Sequence, residues 1–225
     1  MSYGLDASAR ATHIIAIRHG ETDWNAQQRI QGHTDIPLNG LGQAQAERLV
    51  LALAEEPLAA VYASDLGRAR ATAEPFAWAQ GLAVRLDVEL RERAFGEFEG
   101  LSYGEIEARW PELAAAWRRR DLDFRPPGGE SLVQFQARSV QAAIRLASAH
   151  PGQTIALVAH GGVLDALYRA ASRSGLQAPR TWQLANAAIN RLLLADEGLM
   201  LVGWNDCRHL EDLQPADSSS RARPG

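Results

Sequence analysis

Two histidines stand where a buried apolar strand gives way to glycine: His19 in Ile17-Arg18-His19-Gly20-Glu21-Thr22, and His160 in Val158-Ala159-His160-Gly161-Gly162. Glycine there lets the chain turn sharply and approach a ligand closely. If the two strands share one parallel sheet, both imidazoles reach one pocket. Arg18 precedes the first histidine. Arg68 follows Ser64-Asp65-Leu66-Gly67, just inside a helix that begins at another strand end. Two guanidiniums so placed can hold a phosphate through bidentate hydrogen bonds. Glu92, in Leu90-Arg91-Glu92-Arg93-Ala94-Phe95-Gly96, is the carboxylate best placed by topology to give and take a proton, with Glu21, Glu97, Glu99 and Glu105 competing. A lone histidine after a strand, or a lone arginine at a helix start, is ordinarily structural. Such groups gathered at equivalent strand ends of one sheet point instead to chemistry on an anion.

The elements that must position them are legible from pattern. Residues 13–17 read as a short buried strand, 59–63 and 83–86 as further strands, and 154–159 as a strongly apolar one. Helices are expected over residues 40–54, capped by Asn39, and 66–80, kinked or interrupted near Pro75 and ended by Gly81. Ser102 with Glu105 and Ser131 with Gln134 have capping-box spacing, and Pro111 suits a first helical position. They predict helices to about Arg109, Ala149 and Arg120 respectively. A further helix is expected over residues 163–171. Residues 191–195 and 199–204 flank Asp196-Glu197-Gly198 and read as an edge hairpin. The alternation implies an α/β fold: a three-layer αβα sandwich around a mainly parallel sheet with an antiparallel edge hairpin. In such sheets, groups that bind ligands sit beyond the carboxyl ends of the strands.

Composition narrows the function classes. The 225 residues suit one domain, with 46% hydrophobic residues to fill its core. The domain is expected over residues 12–211, with residues 1–11 and 214–225 polar, small and disordered. A net charge of −4 excludes a general nucleic-acid or membrane-surface binder, which needs a basic excess. Cys207 is the single cysteine, so neither an internal disulfide nor a thiolate metal cluster can form. No window is apolar enough to span a membrane, and the first residues lack the apolar run of a secretion signal. A cytoplasmic protein is expected. Histidine and aspartate at metal-ligand spacing are missing; His33 near Asp35, in a Gly/Pro-containing loop, is the nearest approach.

The motifs together resemble the histidine phosphatase superfamily, in the branch similar to phosphoglycerate mutases and their phosphatase relatives. The resemblance rests on Arg18-His19-Gly20-Glu21-Thr22 with Trp24 and Asn25, Ser64-Asp65-Leu66 with Arg68-Ala69, and Leu90 to Gly96 with Glu99-Gly100. Gly129-Glu130-Ser131, His160-Gly161-Gly162 and Trp204-Asn205-Asp206 complete it, so it covers about residues 12–211. It implies His19 as nucleophile, with Arg18, Arg68, His160 and Gly161 around the transferring phosphoryl group. It also implies Asn25 on a phosphate oxygen and Glu92 as acid and base. Arginines and a protonated His160 would then supply the charge that Mg²⁺ supplies elsewhere, so no cofactor is expected.

The rest of the substrate should be read by loops over the site. The candidates are Glu21, Thr22, Gln31, Gly32 and the basic run containing Arg118 and Arg119, although basic residues near a helix end also simply favour its dipole. The family's mutases carry an Asn-Lys pair after the third block and His-Tyr before its glycine. Here Gly100-Leu101-Ser102-Tyr103-Gly104 and Ala94-Phe95 stand instead. The expectation is therefore a phosphomonoesterase acting on a small phosphorylated metabolite. The alternative is a mutase-like phosphotransferase, to which alone 2,3-bisphosphoglycerate priming belongs, and a remote one is a non-catalytic phosphate-binding module. No nucleic-acid or membrane partner is expected, and a homodimer is left open.

Overall fold

The computed structural model describes residues 11–213. Six strands form one sheet: β1 (Thr12–Arg18), β2 (Leu58–Ala63), β3 (Val84–Leu86), β4 (Thr154–Ala159), β5 (Ile189–Ala195) and β6 (Gly198–Asp206). Their order is β3-β2-β4-β1-β5-β6. β1 to β4 are mutually parallel where they pair, while β5 runs antiparallel to β1 and β6 antiparallel to β5. This is the mixed sheet with an antiparallel edge hairpin that the pattern implied.

Alternate side chains of β1 feed two cores, as strand geometry requires. Ile14 and Ala16 face one side with Leu157. There they meet Phe135, Ala142 and Leu146 of α6 (Leu132–Ser148) and Leu164 and Leu167 of α7 (Gly161–Ser172). Ile15 and Ile17 face the other side with Val61 and Val158. They pack on Leu49 of α2 (Gly40–Ala52) and on Ala73, Phe76 and Ala77 of α3 (Gly67–Ala79). Helices therefore cover both faces. Between β3 and α6 lie α4 (Tyr103–Arg109) and α5 (Pro111–Arg118), around a third cluster of Phe98, Ile106 and Ala114 ringed by Trp110, Trp117 and Phe124. A short α1 (Asp23–Ala26) follows β1.

The caps explain where the helices begin. The Asn39 side chain accepts from the Gly42 amide at 2.8 Å, and both expected capping boxes form at Ser102 and Ser131. Three expectations need correction. α3 is not interrupted at Pro75 but continues to Ala79, because its buried face, Ala69, Ala73, Phe76 and Ala77, packs on the sheet and outweighs the lost backbone bond. α7 begins at Gly161, directly after His160, rather than at residue 163, so both glycines lie in its first turn. Ala11, read with the polar end, is buried beside the start of β1. The rest of the expected disordered ends, residues 1–10 and 214–225, lies outside the described residues.

Candidate active site

The His19 amide donates to the Ala159 carbonyl at 2.9 Å, continuing the β1–β4 pairing one step beyond the strands. It sets the imidazoles of His19 and His160 side by side, with ring centroids 5.2 Å apart. Both residues are buried. His19 Nδ1 lies 2.7 Å from the Gly20 carbonyl oxygen. A carbonyl can only accept, so Nδ1 carries the hydrogen and Nε2 keeps its lone pair for attack. Gly20 is required here. A Cβ would lie 2.5 Å from the Gly42 carbonyl oxygen, where α2 presses on the loop after β1. Behind the ring, Asn186 Nδ2 donates to the His19 carbonyl at 2.9 Å, and the Ala187 amide donates to that of Arg18.

Arg68 is completely buried in the first turn of α3. Its two terminal nitrogens donate to the carbonyls of Thr34 (2.9 Å) and Gly32 (2.8 Å). That loop is held in turn by Glu99, whose carboxylate accepts from the His33 and Thr34 amides, the Thr34 hydroxyl and the Phe95 amide. Arg18 donates one terminal nitrogen to the Leu184 carbonyl. The Nε atoms of Arg18 and Arg68, and both ring nitrogens of His160, are buried and have no hydrogen-bond partner among the described residues. Arg18, Arg68 and His160 thus each keep a buried nitrogen without a partner in the surroundings of His19.

Glu92 reaches this group from the loop after β3. Its carboxylate accepts from the Gly162 amide (3.0 Å) and its own neighbour Arg93 (2.9 Å), while its carbonyl accepts from His33 Nε2 and Arg138. It is the acidic group whose field acts most strongly on both Arg18 and Arg68. The competing carboxylates are engaged or turned away. Glu21 accepts from Asn39 Nδ2, Glu99 holds the residue 33–34 loop, Glu105 pairs with Arg29, and Glu97 is exposed. A methyl at Gly162 would stand 2.2 Å from Glu92 Oε1. Gly162→Ala should therefore push the carboxylate aside while leaving α7 intact. We expect turnover of an alkyl phosphate to fall by about 10²-fold or more, with a melting temperature within a few degrees of wild type. Unchanged turnover would place the acid elsewhere.

Burial is the main cause that holds both imidazoles well below their usual range; Arg68 follows for each, with Arg18 adding to it, and His19 adding for His160. Both rings are neutral in the unliganded protein. The protonated His160 expected from the sequence therefore needs the field of a bound phosphate dianion to draw its proton. Burial also pushes Arg18 down to about 10, against the raising effect of Glu92, and it stays cationic at neutral pH. The histidine shifts fix a pH dependence. In the unfolded chain they titrate near 6.5, so below that pH the unfolded state binds protons that the folded state refuses, and stability falls with pH. Partly buried His209 acts in the same direction. Each group can contribute a slope of up to about 1.4 kcal/mol per pH unit. Urea unfolding between pH 7.5 and 5 should show a marked loss in wild type and a shallower one in His160→Gln; a flat wild-type profile would contradict neutral burial.

The remaining expected residues divide. Thr22 and Asn25 close a capping box over α1, a spacing the sequence reading passed over. Asn25 Oδ1 accepts from Thr22 and Asn186, which leaves its amide hydrogens for a phosphate oxygen. Gln31 is nearly buried with Oε1 unpartnered, and Gly32 offers only its carbonyl, already held by Arg68. Gly161 borders the same cavity as Arg18. Arg118 and Arg119 do not join it. They are exposed and paired with Glu107 and Asp121, because α5 turns Ala114 and Trp117 into the aromatic cluster and its last residues outward. Nothing in the sequence pattern pointed to Asn186 behind His19 or to the bracing role of Glu99. Of the two, only Glu99 stands in a motif, the third. Among the described residues no three histidine, cysteine or acidic side chains are placed to share a metal ion.

Comparison with known proteins agrees with this geometry. Residues 14–207 match the model of the histidine phosphatase superfamily (branch 1). Phosphoglycerate mutase-like protein 4 of Arabidopsis thaliana is 41% identical, covering 88% of this chain and 87% of that one. The metal-independent phosphoserine phosphatase of the same plant is 37% identical, covering 94% and 89%. A mycobacterial glucosyl-3-phosphoglycerate phosphatase solved with VO3 superposes with a TM-score of 0.74 at 33% identity, over 88% of this chain and 100% of that one.

Proposed function

We propose a division of labour among these residues from one premise: the chain belongs to the histidine phosphatase superfamily, branch 1, and is a metal-independent phosphomonoesterase acting on a small phosphorylated metabolite through a covalent phosphohistidine. One observation carries the assignment: three side chains beside His19, those of Arg18, Arg68 and His160, each hold a buried nitrogen with no partner among the described residues. A buried donor left unsatisfied costs about 1–3 kcal/mol. Three, one from each side chain, are sensible where an anion is to be received. Phosphoryl transfer asks for little else than neutralised equatorial oxygens and in-line placement.

His19 Nε2 attacks the phosphorus. The N–P bond forms as the ester P–O bond breaks, and the protonated Glu92 carboxyl gives its proton to the leaving oxygen. Arg18, Arg68 and His160 hold the three equatorial oxygens, with Asn25 beside them. Water then attacks the phosphohistidine and yields its proton to the Glu92 carboxylate. The N–P bond breaks, and inorganic phosphate leaves His19 neutral again.

Phosphate release measured over sugar phosphates, phosphoglycerates, phosphoserine and nucleotides tests this. Steady release that survives EDTA and is inhibited by vanadate, a mimic of the trigonal-bipyramidal transition state, is the expected result. Loss of turnover on chelation, restored by a divalent ion, would refute metal independence. Interconversion of phosphoglycerates without release would make the protein a transferase, and binding without turnover a phosphate-binding module. No helix among the described residues is long and apolar enough to cross a membrane. The lone Cys207 supports a cytoplasmic location, and the exposed Met200 and Val202 on the edge strand β6 support a homodimer.

A further inference from the structure

A cavity of about 560 Å³ opens beside the phosphate site, lined by Arg18, Gly161, Gly162, Arg180, Trp182 and Gln183, among others. Arg18 and the glycines belong to the catalytic floor. Arg180 does not; it stands exposed on the rim. Its charged neighbours are the wrong sign for a structural role. The nearby arginines are Arg18 and Arg120, each of which feels Arg180 as a like charge. Arg120 is answered by Asp165 at 3.2 Å, and Arg18 faces Glu92. Among the described residues no carboxylate lies within ion-pair reach of Arg180.

The segment that carries it is firmly seated. Two residues on, Trp182 stacks on Tyr168 with centroids 3.9 Å apart, under the Arg169 guanidinium. The Gln183 carbonyl accepts from Trp204 Nε1 at 2.9 Å, and the Leu184 carbonyl accepts from Arg18 itself. Arg18 is thus shared by the phosphoryl site and the segment that presents Arg180. A third cation at the mouth, beside two others and without a partner of its own, repels its neighbours in the empty protein and is relieved by an anion there.

We propose that Arg180 is a specificity-determining residue that binds a second anionic group on the substrate, so that preferred substrates are phosphomonoesters carrying a carboxylate or a second phosphate at their far end. The inference rests on the phosphatase assignment above. It differs from the sequence expectation, which looked for this role in Arg118 and Arg119. A guanidinium suits either anion because its planar fork meets two oxygens at once.

The test compares wild type, Arg180→Gln and Arg180→Glu on four esters. These are 3-phosphoglycerate (carboxylate), fructose 1,6-bisphosphate (second phosphate), glycerol 3-phosphate (no second charge) and nitrophenyl phosphate. Loss of one charge-assisted contact should lower kcat/KM for the doubly anionic esters by about 10- to 100-fold, mainly through KM. Glycerol 3-phosphate and nitrophenyl phosphate should change by less than about threefold, since Arg180 does not touch the reacting atoms. Arg180→Glu should deepen the first effect. A fall confined to 3-phosphoglycerate identifies a carboxylate reader, and one confined to the bisphosphate identifies a phosphate reader. Equal changes on charged and uncharged esters, or none on any, would overturn the proposal while leaving the phosphatase assignment standing. Absence of wild-type turnover on every ester, nitrophenyl phosphate included, would overturn that assignment and this inference with it.

Discussion

In Glu92→Gln, turnover of an alkyl phosphate is expected to fall by a large part of the 10²- to 10⁴-fold that general acid catalysis is worth, and turnover of nitrophenyl phosphate by far less. The reason is the leaving group. An alkoxide needs its proton in the transition state, whereas a nitrophenolate departs nearly unaided. The amide keeps the shape of the side chain, although its single oxygen can accept from only one of the two amides, Gly162 and Arg93, that the two carboxylate oxygens serve separately. His19→Ala should be equally inactive on both esters, because no N–P bond can form. Rapid-quench trapping of an acid-labile, base-stable phosphoenzyme should succeed in the Glu92 variant, where attack by water is also slowed, and fail in His19→Ala. An equal loss on both esters in Glu92→Gln would move the acid role to Glu97 or Glu21. The second is tied to Asn39 at the start of α2, so Glu97 would be tried first.

Arg68→Lys should lose about 10²- to 10³-fold in kcat with every ester, although it keeps the positive charge. Arg68 does three things at once: two terminal nitrogens hold the carbonyls of Gly32 and Thr34, and Nε is left over for the substrate. A lysine ammonium has one nitrogen on a flexible stem, and cannot both brace the loop and face the phosphoryl group. Glu99→Gln acts on the same contact from behind, because Glu99 fixes the loop whose carbonyls orient Arg68. Its effect should be smaller than that of Arg68→Lys and should vanish in the double variant. Near-wild-type kcat in Arg68→Lys would mean that charge alone, and not the fork, is used.

What the sequence revealed divides by the distance over which each signal acts. Helix starts at Asn39, Ser102 and Ser131 were legible because a cap and its partner lie three residues apart. The same spacing at Thr22 and Asn25 caps a helix of only four residues, too short to leave a periodic apolar pattern after it. His19, His160, Arg18 and Arg68 were legible because buried strands announce their own ends. Long-range pairing was invisible. Nothing local to Glu99 says that it meets residues 33 and 34, and nothing local to Asn186 says that it meets the carbonyl of His19. The basic run after Trp117 misled for a related reason. Arg120, in left-handed backbone at φ 56°, turns inward to Asp165 and Leu176 while Arg118 and Arg119 remain outside.

The strand order also dictates when an active enzyme can first exist as the chain is made. β1 leads to the proposed nucleophile and is made before the other five strands, yet its two neighbours in the sheet are β4 and β5, which follow it by more than a hundred residues. His13 waits for Thr154, and His19 waits for Ala159. β2 and β3 can pair with each other early, but they touch β1 only through β4. Parallel pairing across so long a stretch of chain is intrinsically slow, and an apolar strand without neighbours invites the wrong ones. The nascent protein therefore holds the hydrophobic run Ile14-Ile15-Ala16-Ile17 without its parallel partner until residues 154–159 have been made. Only with residues 154–160 does β1 gain its parallel neighbour and His19 its place beside His160, so no folding intermediate that lacks β4 brings the two imidazoles together.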